Sequence, residues 1–382
     1  MLERAAAVAA NPSAAVLVCL DFGDEGFADS VEEFVQLAES AGATRHALVK
    51  GGRNHPDARL FAGRGKVEEV AQAAVALNAA CVMFNHELSG AQQRNLEKEL
   101  GRRVLDRTAL ILEIFGQRAR TSEGKLQVEL AQLEHLSTRL VRGWTHLERQ
   151  RGGLGKTGGP GETQLELDRR YISQRVRVLR GKLDQLRHRR EVQRRARARG
   201  EVFSVSLVGY TNAGKSTLFN ALAHAKAYEA DKLFATLDTT TRRIYVPEAG
   251  EVVVSDTVGF IRELPHSLVA AFRATLEETV RADLLLHVVD SASPSRERQI
   301  ADVNGVLAEI GAERVPQLQV WNKCDLSGLS PAIERDECGR ISRVILSART
   351  GAGLGGLREA LCEAARERAS ARRAARPQAI PI

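Results

Sequence analysis

The chain has 382 residues, which is enough for two or three domains, and 43% of them are hydrophobic, an ordinary fraction for a globular protein. The formal net charge of +7 favours an anionic partner such as nucleic acid, although charge alone predicts nonspecific affinity and no particular fold. The five cysteines are scattered and form no C-x-x-C pair, which argues against a disulfide framework or a cysteine metal site and favours a reducing compartment.

The first segment, residues 1–118, alternates between strand-like and helix-like stretches. Apolar runs at 14–20 and 80–85 predict buried strands, and 44–50 predicts a weaker third. Spaced apolar residues from Val67 to Ala74 predict one helix, and Ser30 with Glu33 predicts a capping box at the start of another. The uncharged stretch at 5–20 is too short and too broken for a membrane helix, and its second half favours a strand over a signal peptide. This alternation predicts a small α/β domain.

The same segment contains a short basic glycine motif, GRGK, at residues 63–66. It is not a phosphate-binding loop, because Leu60 stands where the first glycine of that loop is required. A solvated basic turn is the favoured interpretation, and an auxiliary contact to nucleotide or RNA stays open.

The pattern changes to long helices between residues 119 and 200. Leucines and other apolar residues recur at three-four spacing over 126–147 and again over 165–186, which predicts two helices in an antiparallel hairpin. The alternative is two helices buried in a larger core, but the many charges between the apolar positions favour a projecting hairpin. The arginine-rich stretch at 187–200 adds to an RNA-binding interpretation through phosphate neutralisation.

The connector between the two helices, residues 151–161, contains six glycines and one proline. It carries Arg151 and Lys156, and its glycines allow a close approach of backbone amides to phosphates. We call this connector the tip and predict that it is exposed and functional, since loops on rigid scaffolds often carry function. A plain linker is the alternative.

Residues 209–216 read G-x-x-x-x-G-K-S, with an apolar strand pattern at 202–208 before them and a helix pattern after them. In that context the glycines let backbone N–H groups surround a phosphate, and the helix N-terminus adds its dipole. Lys215 is suited to reach the β- and γ-phosphates, and Ser216 to ligate Mg²⁺. A glycine-rich turn with a surface lysine is the disfavoured alternative.

Three further motifs, D-x-x-G, NKCD and SAR, lie at predicted strand ends, where ligands bind in doubly wound sheets. In D-x-x-G at 256–259, Asp256 is placed to hold Mg²⁺ through water, and the Gly259 amide is placed to meet the γ-phosphate. In NKCD at 322–325, the Asp325 carboxylate matches the two N–H donors of guanine, whereas adenine offers no such pair.

The other edge of guanine is assigned to Asn322 and to the amide of Ala348 in the SAR motif at 347–349, and Lys323 is predicted to cover the base plane. Together, the ordered motifs predict a guanine nucleotide site in residues 201–366.

Stretches outside these motifs resemble the HflX family of ribosome-associated GTPases, which are P-loop proteins of the translation-factor class. They include LFAGRGKVEEV from Leu60, FNHELSGAQQRNLEKEL from Phe84, GGPGETQLELDRR from Gly158 and GFIRELPHSLVAAFRATLEE from Gly259. The resemblance spans about residues 60–361. It implies an α/β fold: an N-terminal α/β domain (1–118), a helical hairpin (119–200) and a Ras-like GTPase domain with a mostly parallel sheet (201–366). We expect 367–382 to be a disordered basic tail, with no extended C-terminal domain.

By motif position, the resemblance also implies the site residues. The nucleotide contacts are Gly209, Tyr210, Thr211, Asn212, Ala213, Gly214, Lys215, Ser216, Phe234, Ala235, Thr236, Leu237, Asp238, Asp256, Thr257, Val258, Gly259, Asn322, Lys323, Cys324, Asp325, Ser347, Ala348 and Arg349. The Mg²⁺ ligands are Ser216 and Thr236; composition alone leaves Thr239, Thr240 and Thr241 open, and the family motif F-A-T-L-D selects Thr236. Thr239 departs from the proline that is usual in the family.

Catalysis is assigned to Lys215, Thr236, Gly259 and Asn212. Many GTPases place a water-orienting glutamine directly after D-x-x-G, but here Phe260 occupies that position and cannot bind water. We therefore expect weak intrinsic hydrolysis. Asn212 suggests a compensating K⁺, since some GTPases use an asparagine at this position to hold that ion; simple stabilisation of the loop is the alternative.

We expect a cytoplasmic, monomeric protein without a membrane span, and the resemblance implies that it is a GTPase that acts on ribosomes. It would bind GTP and GDP, the large ribosomal subunit and its RNA, and would split or rescue ribosomes under stress. A peripheral location at the membrane, reached through ribosomes, stays open. Two alternative functions stay open as well: a regulatory GTP switch that recruits a protein partner, and a ribosome-assembly or RNA-remodelling NTPase that uses the N-terminal domain.

Overall fold

The computed structural model describes residues 13–24, 26–142, 164–198, 202–223, 233–234, 236–247, 249–262, 265, 268 and 273–375. The chain divides into two compact units, Met1–Gln185 and Leu186–Ile382. Among the described helices, none is both long enough and apolar enough to cross a bilayer.

The first unit contains a four-stranded parallel sheet with the order β2-β1-β3-β4. Its strands are β1 (Ala14–Asp21), β2 (Arg45–Gly52), β3 (Cys81–Phe84) and β4 (Arg103–Leu105). The strands alternate with helices α1 (Phe27–Ser40), α2 (Arg64–Ala76), α3 (Gly90–Leu100) and α4 (Arg107–Arg118). Apolar side chains of the sheet and of α2 and α3 form one buried cluster, so the predicted small α/β domain is confirmed.

The predicted capping box at the start of α1 is wrong. The helix begins at Phe27 after Gly26, which has a φ of 85°, and no side chain caps its first turn. Ser30 lies inside the helix, where its Oγ accepts a hydrogen bond from Asn85 Nδ2 at 2.9 Å. Glu33 forms an ion pair with the buried Arg107. The partner of Glu33 is therefore distant in the sequence, and local residue spacing does not reveal this contact.

Two long helices complete the helical part, α5 (Ser122–Arg142) and α6 (Gln164–Ala198). They contact each other through a cluster centred on Leu130, Leu179 and Leu183, which belong to the two predicted apolar stripes. The segment between the helices, including the tip at 151–161, lies outside the described residues.

The second unit contains a seven-stranded sheet with the order β10-β11-β9-β8-β5-β7-β6. Its strands are β5 (Phe203–Gly209), β6 (Thr240–Val246), β7 (Gly250–Asp256), β8 (Leu284–Asp290), β9 (Gln317–Asn322), β10 (Ala332–Arg335) and β11 (Ile341–Ile345). The edge strands β6 and β10 are antiparallel to their neighbours, and the other pairs are parallel. The helices are α7 (Lys215–Ala223), α8 (Arg273–Val280), α9 (Arg296–Glu309), α10 (Cys324–Ser327) and α11 (Leu354–Ala375).

The core of this unit holds the carboxyl ends of its strands in place. Leu207, Leu286 and Val320 come from three neighbouring parallel strands and are fully buried. They belong to one apolar cluster with Phe219 of α7 and Leu357 of α11. The mostly parallel α/β fold predicted for residues 201–366 is confirmed, and its strand ends gather the motifs on one side, as expected for doubly wound sheets.

The prediction of a disordered tail is wrong for residues 367–375, because α11 continues through Ala375. Arg368 forms an ion pair with Asp283, and its guanidinium lies 5.7 Å from the centre of the Phe203 ring. These contacts with distant residues stabilise a stretch that looks only basic and alanine-rich in the sequence. Residues 376–382 lie outside the described residues.

Candidate nucleotide-binding site

The loop at the end of β5 packs closely against the neighbouring strands β8 and β9, and two glycines permit this. Gly209 has a φ of 147°, and a Cβ there would lie 2.2 Å from the Val288 carbonyl oxygen. Gly214 has a φ of 90°, and a Cβ there would lie 2.2 Å from Asn322 Nδ2. Asn212 also has a positive φ, 59°, which asparagine tolerates better than most residues. Such a loop, followed directly by a helix N-terminus, suits an anionic phosphate.

Lys215 supplies a cation within this loop. It is the first residue of α7, only 6% exposed, and its Nζ donates a hydrogen bond to the Tyr210 carbonyl at 2.7 Å. Burial lowers the pKa of Lys215 to about 8, and the nearby Asp256 carboxylate opposes that change. A buried ammonium group with so little solvation is suited to pair with an anion.

Three oxygen-bearing side chains meet beside Lys215. The Ser216 hydroxyl donates to Asp256 Oδ2 at 2.7 Å, and the Thr236 hydroxyl donates to the same oxygen at 2.9 Å. The two hydroxyl oxygens are 2.8 Å apart. Burial raises the pKa of Asp256, whereas its hydrogen bond from Ser216 lowers it. Hydroxyl and carboxylate oxygens are the donors that Mg²⁺ prefers, so this group fits that ion.

Thr236 is distinguished by position from two of the other threonines that the sequence left open, Thr240 and Thr241. The Thr241 hydroxyl lies 3.2 Å from Ser255 Oγ, and Thr240 pairs with the backbone of Asp256 within the β6–β7 ladder. Of these three residues, Thr236 is the one whose hydroxyl reaches both Ser216 and the Asp256 carboxylate.

Asn322 connects two parts of the site. Its Nδ2 donates to the Ala213 carbonyl of the phosphate loop at 2.9 Å, and its Oδ1 accepts from the Ala348 amide at 2.9 Å. Asn322 and the Ala348 amide are predicted to read the guanine edge, but in the structure they bind each other. The buried Asn322 thus ties the phosphate loop to the SAR segment, while its amide keeps a further N–H and a lone pair.

Asp325 and Lys323 lie on the far side of a cavity of about 450 Å³ that extends from the phosphate loop. Asp325 is exposed, which leaves its carboxylate available to a base. Lys323 has a φ of 63°, and its Nζ donates to Asp290 Oδ2 at 2.7 Å. Asp290 therefore fixes the ammonium group of Lys323, which is one of the residues that line the cavity. The volume is that of a typical small-molecule pocket.

The cavity is lined by residues from all five predicted nucleotide-binding segments, which are 209–216, 234–238, 256–259, 322–325 and 347–349. Those that line it are Thr211, Asn212, Gly214, Lys215, Ser216, Phe234, Thr236, Thr257, Gly259, Asn322, Lys323, Asp325, Ser347 and Arg349. The remaining described residues of the prediction do not line it: Gly209, Tyr210, Ala213, Leu237, Asp238, Asp256, Val258, Cys324 and Ala348. Ala235 lies outside the described residues.

Two lining residues were missed by the sequence analysis, Thr217 and Leu326. Thr217 follows Ser216 in the first turn of α7, so its place at a helix N-terminus was a usable signal. Leu326 is 66% exposed and directly follows Asp325, and nothing in the motif pattern marks it. Phe260 is fully buried and does not line the cavity.

A phosphate loop with a buried lysine, a hydroxyl–carboxylate group beside it and an N-K-x-D aspartate across the cavity define a P-loop GTPase. Three family models match successive parts of the chain: "GTP-binding GTPase N-terminal" over 28–116, "GTP-binding GTPase Middle Region" over 118–197 and "50S ribosome-binding GTPase" over 204–323.

Curated relatives identify the family within the class of P-loop GTPases. GTPase HflX of Escherichia coli (strain K12) is 55% identical over 91% of this chain and 82% of the relative. GTPase HflX of Caldanaerobacter subterraneus subsp. tengcongensis is 44% identical over 93% of this chain and 81% of the relative. The chain belongs to the HflX family of GTPases, and it is an enzyme that hydrolyses GTP.

A solved structure shows the same fold. The crystal structure of the SsGBP–GDP complex covers 93% of this chain and 98% of its own chain, with a TM-score of 0.52 and 24% identity.

Proposed function

We propose that the protein binds the large ribosomal subunit in its GTP-bound state and uses GTP binding and hydrolysis to split or rescue stalled or idle ribosomes. The observation that carries this proposal is the match of the GTPase unit, over residues 204–323, to a 50S ribosome-binding GTPase model. A complete nucleotide site in the same unit supports coupling between GTP and ribosome binding. A partner of this kind favours a cytoplasmic location.

The surface of α6 supports RNA as part of the partner. Leu179 faces the contact with α5 and is fully buried. Arg169, Arg177 and Lys182 are exposed along the same helix, and the Tyr171 ring is 55% exposed among them. Cations neutralise phosphates and release counterions, and an exposed aromatic ring is a stacking platform for a base.

The site residues divide the work of the GTP cycle. The Lys215 ammonium would neutralise the β- and γ-phosphates, and the Gly259 N–H would bind the γ-phosphate. Ser216 and Thr236 would hold Mg²⁺, with Asp256 acting through water. When bound, that ion neutralises charge on the phosphate oxygens. After hydrolysis, the γ-phosphate would no longer hold Thr236 and Gly259 in place. This change would favour release of the protein from the ribosome.

We expect Thr236→Ala to raise the Mg²⁺ concentration that half-saturates binding of a nonhydrolysable GTP analogue by at least about tenfold, the scale found when partners of metal ligands are removed. GDP binding changes little. Thr241→Ala is the matched control, because its hydroxyl bonds to Ser255 outside the cavity. The measurement is nucleotide binding over a Mg²⁺ titration. Equal effects of the two substitutions would show that Thr236 is not the ligand.

We expect the ribosome-stimulated hydrolysis rate to fall at least about tenfold when Na⁺ replaces K⁺, which is less than the ~10³-fold that an arginine finger contributes. Phe260 is buried and cannot orient the attacking water. We infer that Asn212, which is exposed at the cavity, compensates by holding a K⁺ ion there.

Asn212→Gly is the matched variant for this experiment, because glycine keeps the positive φ and removes only the side chain. We expect it to hydrolyse GTP slowly in both salts. Equal rates of the wild-type protein in K⁺ and Na⁺ would contradict a K⁺ role and leave Asn212 as a loop-stabilising residue.

Co-sedimentation of the full chain with isolated ribosomal subunits tests the proposal. We expect the protein to pellet with the large subunit in the presence of a nonhydrolysable GTP analogue, and much less with GDP. GTP-dependent capture of a protein partner without subunit binding would favour a regulatory switch. Subunit binding that ignores the nucleotide would favour an RNA-remodelling NTPase.

A further inference from the structure

The phosphate loop is joined to the switch segment, residues 256–262, by a short extension of the sheet. β5 and β7 pair in parallel as far as Leu207 and Asp256, and pairing resumes at an isolated parallel bridge between Tyr210 and Phe260. Tyr210 follows Leu207 by three residues, whereas Phe260 follows Asp256 by four. The switch segment therefore contains one additional residue, and such bulges redirect the backbone.

The additional residue brings Gly259 against the phosphate loop. A Cβ at Gly259 would lie 2.8 Å from Thr211 Cγ2 and 2.9 Å from Lys215 Nζ. Only a backbone without a side chain fits so close to the ammonium group that serves the phosphates. The position of the Gly259 N–H thus depends on how firmly the residues after it are held.

Three hydrogen bonds within the described part of the chain help to hold the residues that follow Gly259. The Phe260 amide donates to the Gly209 carbonyl at 3.1 Å, and the Thr211 amide donates to the Phe260 carbonyl at 2.7 Å. The Arg262 amide donates to the Tyr210 hydroxyl at 2.7 Å. The first two bonds are between backbone groups, but the third uses a side chain, so a substitution removes it without changing the backbone.

We propose that Tyr210 is a positioning residue for GTP recognition and hydrolysis: its hydroxyl holds the Arg262 amide and so keeps the Gly259 N–H against the phosphate loop. Tyr210 acts through Gly259, since its side chain does not line the cavity. The effect is specific to the triphosphate, because GDP has no γ-phosphate for the Gly259 N–H to bind. This role concerns the hydrolytic site itself and is independent of the proposed action on ribosomes.

Tyr210→Phe keeps the ring and removes only the hydroxyl oxygen. We expect kcat/KM for GTP and the affinity for a nonhydrolysable GTP analogue to fall about fivefold, the scale of one neutral hydrogen bond. The affinity for GDP stays within about twofold, and the Arg262 amide exchanges its hydrogen faster. Tyr245→Phe, at a residue that is 75% exposed, is the control and changes neither affinity.

The proposal is overturned if Tyr210→Phe leaves the ratio of the two affinities, for the GTP analogue and for GDP, unchanged. This holds whether both affinities persist or both fall together, because a tyrosine with only a structural role would affect the two nucleotides alike. If Tyr210→Phe does not fold, amide hydrogen exchange of the wild-type protein decides. The Arg262 amide is expected to be better protected with the GTP analogue than with GDP, and equal protection in the two forms overturns the proposal.

Discussion

Asp325→Asn is expected to change the base preference of the protein from guanine to xanthine nucleotides. The carboxylate matches the two N–H donors of guanine, and the asparagine amide instead offers a donor to the additional carbonyl of xanthine. Since a polar group without its partner can discriminate by a factor on the order of 10⁴, we expect the GTP affinity to fall on that scale and XTP binding to appear. The measurement is competition binding of GTP, XTP and ATP to the full chain.

Glu337→Gln is the matched control for this experiment, because it makes the same change from carboxylate to amide at an exposed position outside the cavity. Its base preference is expected to equal that of the wild-type protein. The base assignment fails if Asp325→Asn keeps its preference for GTP, or if the wild-type protein binds ATP as tightly as GTP.

Replacement of the tip, residues 151–161, by a short serine-glycine linker is expected to leave GTP affinity unchanged and to abolish ribosome-dependent activities. α5, the helix before the tip, has 21 residues and is therefore ~30 Å long at ~1.5 Å of rise per residue. Arg139 near its end forms an ion pair with the buried Asp106, so the tip follows a helix that is held firmly in place. The tip contains six glycines, which allow close backbone approach to RNA, and Arg151 and Lys156 can neutralise phosphates. The measurements are GTP affinity, binding to the large subunit and separation of the subunits.

A second variant separates charge from backbone shape in the tip. Arg151→Ser with Lys156→Ser keeps every glycine and removes the two cations, so we expect weaker and less salt-dependent ribosome binding with partial subunit separation. Full separation activity after replacement of the whole tip would make the tip a connector.

The sequence marks those residues of the predicted nucleotide site that local chemistry requires. Gly209 and Gly214 occupy backbone conformations and close contacts that exclude other side chains, so their spacing is a reliable signal. Asp325 likewise follows from the donor pattern of guanine. These residues are recognisable because the two glycines meet a requirement of the local backbone and Asp325 meets a requirement of the ligand.

The features that the sequence did not predict depend on contacts between distant residues. Arg368 pairs with Asp283 and helps to extend α11, and Arg107 holds Glu33 away from the expected capping box. Asn322 binds two backbone groups, one before it and one after it in the chain. No spacing rule within one segment encodes such pairings, because each requires the folded arrangement of at least two elements.

Dissociation of intact ribosomes is the most direct test of the proposed function. Light scattering of 70S particles mixed with the full chain measures the separation of subunits over time. With GTP, we predict a protein-dependent fall in scattering, which Asp325→Asn loses with GTP and regains with XTP; with GDP, the particles stay intact. Particles that stay intact with GTP at saturating protein, or that separate equally well with GDP, would contradict the proposal that the GTP-bound protein splits ribosomes.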